Sequence, residues 1–126
     1  MKLPNIFETE VVPIALFAGD VIYSDGDEPT AMYIVQSREV ELRVCGTCIE
    51  TVGPDGFFGE MALVDHGPRA ATAVAKTECI IIPVSERHCI YMVEETPLFA
   101  LLVLRTTVAR LRRVGFPYSL QEPDPR

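Results

Sequence analysis

Between Val11 and about Val84 the chain breaks into short runs of β-branched and aromatic residues separated by turn-forming clusters, and no helical period is sustained across the region. That alternation constrains the fold more than any other feature of the sequence. It predicts strands over Pro13 to Phe17, Asp20 to Tyr23, Ala31 to Gln36, Glu39 to Cys45, Ile49 to Val52, Ala70 to Ala75 and Glu78 to Pro83. The separators Ser24-Asp25-Gly26-Asp27-Glu28-Pro29, Gly53-Pro54-Asp55-Gly56 and His66-Gly67-Pro68 all carry strong turn chemistry. So many short strands at this spacing require a barrel or a two-sheet roll.

After Ser85 the pattern changes. Ser85-Glu86-Arg87-His88 reads as a helix cap followed by apolar residues at helical spacing to Val93. A second helix is expected from Leu98 to Val114, where Leu101, Leu104, Val108, Leu111 and Val114 form an apolar stripe free to pack on the roll or to form a dimer seam. Gly115 and Pro117 end it. The organisation expected is one domain over residues 1–115, with a Pro-rich tail or lid at 116–126.

With 126 residues, 48% of them hydrophobic, the chain is sized for one core. A formal net charge of −7 argues against a free-standing nucleic-acid binder, which needs clustered basic residues. Arg105, Arg110, Arg112 and Arg113 gather on the last helix, but no second helix of a DNA-reading pair follows, so they are expected to form a solvated or partner-facing stripe. No apolar run reaches a membrane-spanning length and the N-terminus does not resemble a signal peptide, so a cytoplasmic protein is expected. The four cysteines, Cys45, Cys48, Cys79 and Cys89, are expected to be reduced. Cys45-Gly46-Thr47-Cys48 has metal or redox spacing, yet it reads as a hairpin with Gly46-Thr47 at the tip and two cross-strand cysteines. Asp25, Asp27 and Glu28 lack the spacing of a calcium loop and read as a solvated turn. His66 and His88 have no nucleophile or ligand partner in the pattern, so no catalytic residue and no metal site is expected.

The segment that carries chemistry is Phe57-Phe58-Gly59-Glu60-Met61-Ala62-Leu63, followed by Pro68-Arg69-Ala70-Ala71-Thr72-Ala73. Gly59 removes a side chain at the entrance to a short helical turn, so an anion can approach the amides of Glu60, Met61 and Ala62. Arg69, returning at the next strand, can offer a guanidinium fork to two oxygens of one phosphate. A carboxylate at Glu60 suits a proton donor such as a ribose hydroxyl. Together these groups describe a site for a sugar phosphate.

This segment closely resembles the phosphate-binding cassette of the cyclic-nucleotide-binding domain family, which reads Phe-Gly-Glu, an aliphatic, Ala-Leu, a short loop, then Pro-Arg-Ala-Ala-Thr. The likeness extends to Ala18-Gly19-Asp20, Gly26-Asp27 and Met32-Tyr33-Ile34-Val35, and covers about residues 11 to 114. The resemblance implies a mainly β fold, a double-stranded β-helix or jelly-roll-like β-roll with a short cassette helix and C-terminal helices. It implies a sensor that binds a cyclic nucleotide and performs no chemistry on it. Glu60 then binds the ribose 2′-hydroxyl, Arg69 the cyclic phosphate, and the amides near Gly59, Met61, Ala62 and Ala70 the remaining phosphate oxygens. Alanine at Ala70, where guanine-selective members often have threonine, points to cyclic AMP ahead of cyclic GMP. In the family a residue of the final helix or beyond often covers the base, and Phe116 and Tyr118 are the candidates. Two positions depart from the pattern: Arg38 stands where glycine is usual, in a turn where positive φ costs a non-glycine residue about 1 kcal/mol, and Pro54-Asp55-Gly56 reverses the usual Gly-Asp order. A scaffold domain of the same fold that binds no nucleotide is the alternative, and a thiol redox or zinc protein using Cys45 and Cys48 is a third.

Overall fold

The computed structural model describes residues 12–113. Its strands are β1 (Ile14–Leu16), β2 (Val21–Tyr23), β3 (Met32–Ser37), β4 (Val40–Val44), β5 (Thr47–Val52), β6 (Phe57–Phe58), β7 (Thr72–Ala75) and β8 (Cys79–Val84). Its helices are α1 (Glu60–Asp65), α2 (Glu86–Glu95) and α3 (Pro97–Arg113). The strands form two antiparallel four-stranded sheets, ordered β1-β8-β3-β6 and β2-β7-β4-β5. Apart from the β4-β5 hairpin, every connection between successive strands passes from one sheet to the other, which is the winding of a β-roll.

The first sheet is covered on both faces, and its sequence shows why. In β3 and β8, Val35 and Ile81 are register partners and face the core between the sheets, with Val40, Leu42, Phe58 and Ala73. Their neighbours Ile34 and Ile82 also pair, and face the second core with Phe57, Leu63, Met92 and Phe99. A strand buried on both sides needs consecutive apolar residues, hence Tyr-Ile-Val and Ile-Ile-Ile rather than strict alternation.

Ser85 caps α2 as expected, its Oγ accepting from the His88 amide at 3.1 Å. Phe99, fully buried, and Leu102 and Val103 pack α3 onto the roll. Three residues of the stripe singled out in the sequence face the other way: Leu101, Leu104 and Val108 are exposed.

One turn differs from expectation, and the two positions that depart from the family pattern keep its left-handed geometry. The β4-β5 turn has Cys45 and Gly46 at its tip, with φ of 52° and 80°, and Thr47 already pairs with Val44. A two-residue turn matching strand twist needs positive φ at both centres, and Gly46 supplies one of them. Cys48 lies opposite Arg43, so the two cysteines are not cross-strand partners. Arg38 takes φ 66°, keeping the left-handed corner between the sheets without glycine. Asp55 takes φ 69°, and Gly56 after it stands where a Cβ would lie 2.7 Å from Val52 Cγ1. The reversed order therefore gives the left-handed position to aspartate, which tolerates it, and the crowded position to glycine.

Candidate functional site

A cavity of about 300 Å³ opens between the second sheet, α1 and the last turns of α3. The cassette forms one wall. Gly59 has φ 82°, and a Cβ there would stand 2.7 Å from Arg69 Nη1, so both backbone and space require glycine. From it α1 starts at Glu60, and Gly59, Glu60, Met61, Ala62, Arg69 and Ala70 all line the cavity. The six candidate cassette residues are thus brought to one place.

Arg69 is 3% exposed. Its Nη1 donates to the Gly59 carbonyl at 2.8 Å and its Nη2 to the Ala31 carbonyl, while its Nε has no partner. Two of its five N–H groups are committed to the fold, and three remain for a ligand. Its backbone is fixed by the acidic turn, the Arg69 amide donating to the Asp27 carbonyl and the Gly26 amide to the Arg69 carbonyl, both at 2.8 Å. That turn is closed by the Ser24 amide donating to Asp27 Oδ2 at 2.9 Å. The turn read from sequence as merely solvated therefore positions the cassette arginine.

Glu60 is 2% exposed and is held from α3. Arg110 Nη1 donates to its Oε1 at 2.7 Å, and Thr107 Oγ1 to its Oε2 at 3.3 Å. Arg110 also forks onto Glu50, Nε to Oε1 at 2.9 Å and Nη2 to Oε2 at 3.0 Å, and Nη2 reaches the Phe57 carbonyl at 2.6 Å. Arg113 adds a bond to Glu50 Oε1 at 2.9 Å. Burial alone would raise the Glu50 carboxyl, but the hydrogen bonds and charge of Arg110 and Arg113 outweigh it and hold the group below its ordinary range. Burial likewise opposes the charge on Arg110, and Glu50 and Glu60 overcome it and raise that group.

Arg110 was expected in a solvated or partner-facing stripe; instead it turns inward as the link between α3, β5 and the cassette. Glu50, Thr107 and Tyr23 were also missed, and Leu111, read only as part of the apolar stripe, lines the cavity. Glu50 reaches the cavity beside Ile49 because a bulge separates the pairs Leu42↔Glu50 and Arg43↔Cys48, breaking the alternation of β5. The usable signal was the Thr107-Arg110 spacing, which puts both on one helix face. Phe116 and Tyr118, the candidate base covers, lie outside the described residues.

Cys45 and Cys48 are exposed free thiols. Among the described residues no group of three or more His, Cys, Asp or Glu is arranged to hold a metal ion. No described helix is long and apolar enough to cross a membrane.

Fold and site define a β-roll ligand-binding domain, with a charged pocket closed by a C-terminal helix. The chain belongs to the cyclic nucleotide-binding domain family, whose model matches residues 14–95. It is similar to the cAMP-dependent protein kinase regulatory subunit of Yarrowia lipolytica, with 42% identity over 64 residues, which are 51% of this chain and 17% of that protein. Among solved structures it resembles the catabolite activator protein of Thermus thermophilus, with TM-score 0.73 and 28% identity over 87% of this chain and 54% of that one. It also resembles the regulatory domain of Toxoplasma gondii PKA crystallised with cAMP, with TM-score 0.59 and 28% identity over 65% of this chain and 33% of that one. The chain spans less than a quarter of the length of the curated relatives it matches.

Proposed function

We propose that this chain is a sensor domain that captures cyclic AMP and passes its occupancy to α3 without transforming the ligand. The observation that carries this reading is Arg69: a buried arginine that lines the cassette cavity and whose Nε has no partner. Burying a donor unsatisfied costs about 1–3 kcal/mol, which an anion's oxygens recover. In this reading Arg69 takes the cyclic phosphate, the amides near Gly59, Met61, Ala62 and Ala70 take the other phosphate oxygens, and Glu60 accepts from the ribose 2′-hydroxyl. Ala70 offers no hydroxyl to a guanine, which favours adenine.

Charge supports the same ligand class. Arg69, Arg110 and Arg113 face Glu50 and Glu60 around the cavity, a formal balance of +1. A cyclic phosphodiester is a monoanion and neutralises it. A 5′-monophosphate, approaching two negative charges, leaves an excess inside a site of low dielectric.

One domain at 1–115, a tail at 116–126 and a cytoplasmic setting belong to the proposal, as does an output through α3 to a partner protein or a second copy. Titration calorimetry of the nucleotide-stripped chain with cyclic AMP, cyclic GMP and 5′-AMP tests it. Saturable binding of the cyclic nucleotides, tighter for adenine and absent for 5′-AMP, is the expected result. A second reading, a scaffold domain that binds no nucleotide, is favoured by the Arg110 bond that already engages Glu60. Absence of heat and of thermal stabilisation at millimolar ligand would establish it.

A further inference from the structure

Tyr23 ends β2 at an irregularity: Val21 pairs with Val74 and Tyr23 with Ala73, so regular pairing breaks between them. The break lets the successive residues Ile22 and Tyr23 both pack against the core between the sheets, which strict alternation forbids. The Tyr23 ring is fixed beside Tyr33 and Phe58, with centroids 6.1 Å from each. On it rests the Arg69 guanidinium, its central carbon 4.1 Å from the ring centroid. A cation over an aromatic face is attracted by the ring quadrupole, and more so where water is excluded.

The hydroxyl end of this residue lies at the cassette. It stands 3.4 Å from the point a Cβ on Gly59 would occupy, and Arg69 Nη1 stands 2.7 Å from that same point. Tyr23 also lines the cavity. Burial pushes its phenol up to about 12 despite the opposing charge of Arg69, so the hydroxyl keeps its proton and remains a donor. The buried arginine therefore has beside it, on the same side of Gly59, a neutral donor that the cassette pattern does not contain.

We propose that Tyr23 is a ligand-contacting residue of this pocket, its hydroxyl donating to an exocyclic oxygen of a bound cyclic phosphodiester while its ring sets the plane of the Arg69 fork. The assignment rests on the reading of the cavity as a cyclic-nucleotide site. A neutral donor adds a hydrogen bond without adding charge, so it strengthens binding of a monoanion and leaves the pocket's formal balance unchanged.

The test is calorimetry of the full chain and of Tyr23→Phe with cyclic AMP and with its two phosphorothioate diastereomers, each replacing one exocyclic oxygen by sulfur, a weaker acceptor. Tyr23→Phe keeps the ring and its packing, so its melting temperature stays near that of the parent. The loss expected for cyclic AMP is about tenfold, the size of one hydrogen bond to a charged group. The preference between diastereomers shrinks in the variant, because one sulfur no longer forfeits the tyrosine bond. Tyr23→Leu, which also removes the surface under Arg69, weakens binding further than Tyr23→Phe. Unchanged affinity together with an unchanged diastereomer preference in Tyr23→Phe overturns the assignment while leaving the pocket's function standing. Failure of the parent chain to bind any of the three removes the functional reading itself, and this assignment with it.

Discussion

Arg69 has two tasks, and separating them yields the first prediction. Its Nη groups tie Gly59 of the cassette to Ala31 ahead of β3, while its Nε is left without a partner and the side chain lines the cavity. Arg69→Ala is expected to fold, with a loss of about 1–3 kcal/mol for the carbonyls left without a donor. Its affinity for cyclic AMP falls by more, about 2–5 kcal/mol or roughly 30-fold and upward, because a buried phosphate loses its charge partner. Arg69→Lys recovers little, since an ammonium cannot present a planar fork. Urea melts and calorimetry read the two effects separately; equal ligand affinity in parent and alanine variant sinks the phosphate assignment. Gly59→Ala makes the complementary prediction. The new methyl meets Arg69 Nη1 at 2.7 Å and must adopt φ 82°, so the arginine is displaced and binding is lost while the rest of the roll persists. At this scale Glu60 and Arg69 were legible because glycine, carboxylate and arginine occur together in one short segment. Tyr23 was not, because an aromatic in a β-strand looks the same whether it faces a core or a ligand.

Among the elements, α3 is the one whose position depends on the site. Phe99 anchors its first turn in the core, whereas its last turns are held by the charged bonds of Arg110 and Arg113 to Glu50, Glu60 and the Phe57 carbonyl. Glu60 is also the proposed ribose acceptor, so ligand and α3 meet at one carboxylate and are thermodynamically linked. Arg110→Ala strips buried Glu50 and Glu60 of their shared partner, and about 3–5 kcal/mol is the cost of breaking such a buried pair. Hydrogen exchange is expected to show faster exchange over the last two turns of α3 with the start of the helix near Phe99 unchanged. Uniform exchange along α3 in parent and variant contradicts the clamp. The same pair sets an acid limb. Glu50 titrates below its ordinary value in the folded chain, so its contribution is present above that ordinary value and is lost as pH falls through the folded one. Glu50→Gln is therefore expected to flatten the stability profile below about pH 4.5, the carboxyl's ordinary value. The strands themselves were legible to within a residue or two because apolar runs and turn chemistry agreed. The two-residue β6 was not, being too short to show a period. The inward face of α3 stayed open in the sequence because hydrophobicity pointed to Leu101, Leu104 and Val108, while the helix docks through Phe99, Leu102 and Val103 and then through charge.

For the whole molecule, the pocket's position decides how ligand binding should be felt. Its walls come from the second sheet, the cassette and α3, and Arg69 reaches from it to the Ala31 carbonyl just ahead of β3 in the first sheet. A ligand seated there touches the second sheet, the cassette and α3 together, so its binding free energy is available only to the folded chain and must appear as global stability. At a free concentration of 100 times Kd the gain is about 2.7 kcal/mol. Each kcal/mol moves the melting temperature of a domain of this size by about 4 °C, so saturating cyclic AMP is expected to raise it by about 10 °C in one cooperative step. The formal charge of +1 around the cavity sets the control, since a dianionic 5′-monophosphate over-neutralises it and should give little shift at the same concentration. Raising the salt concentration separates the sources: a screened surface attraction fades over a Debye length of about 8–10 Å, whereas buried pairs are screened far less. A shift that survives salt and requires the cyclic phosphodiester places the interaction at Arg69 and inside the roll. Equal shifts with 5′-AMP, vanishing in salt, place it on the outer basic face of α3 at Arg105 and Arg112 and remove the pocket from the account.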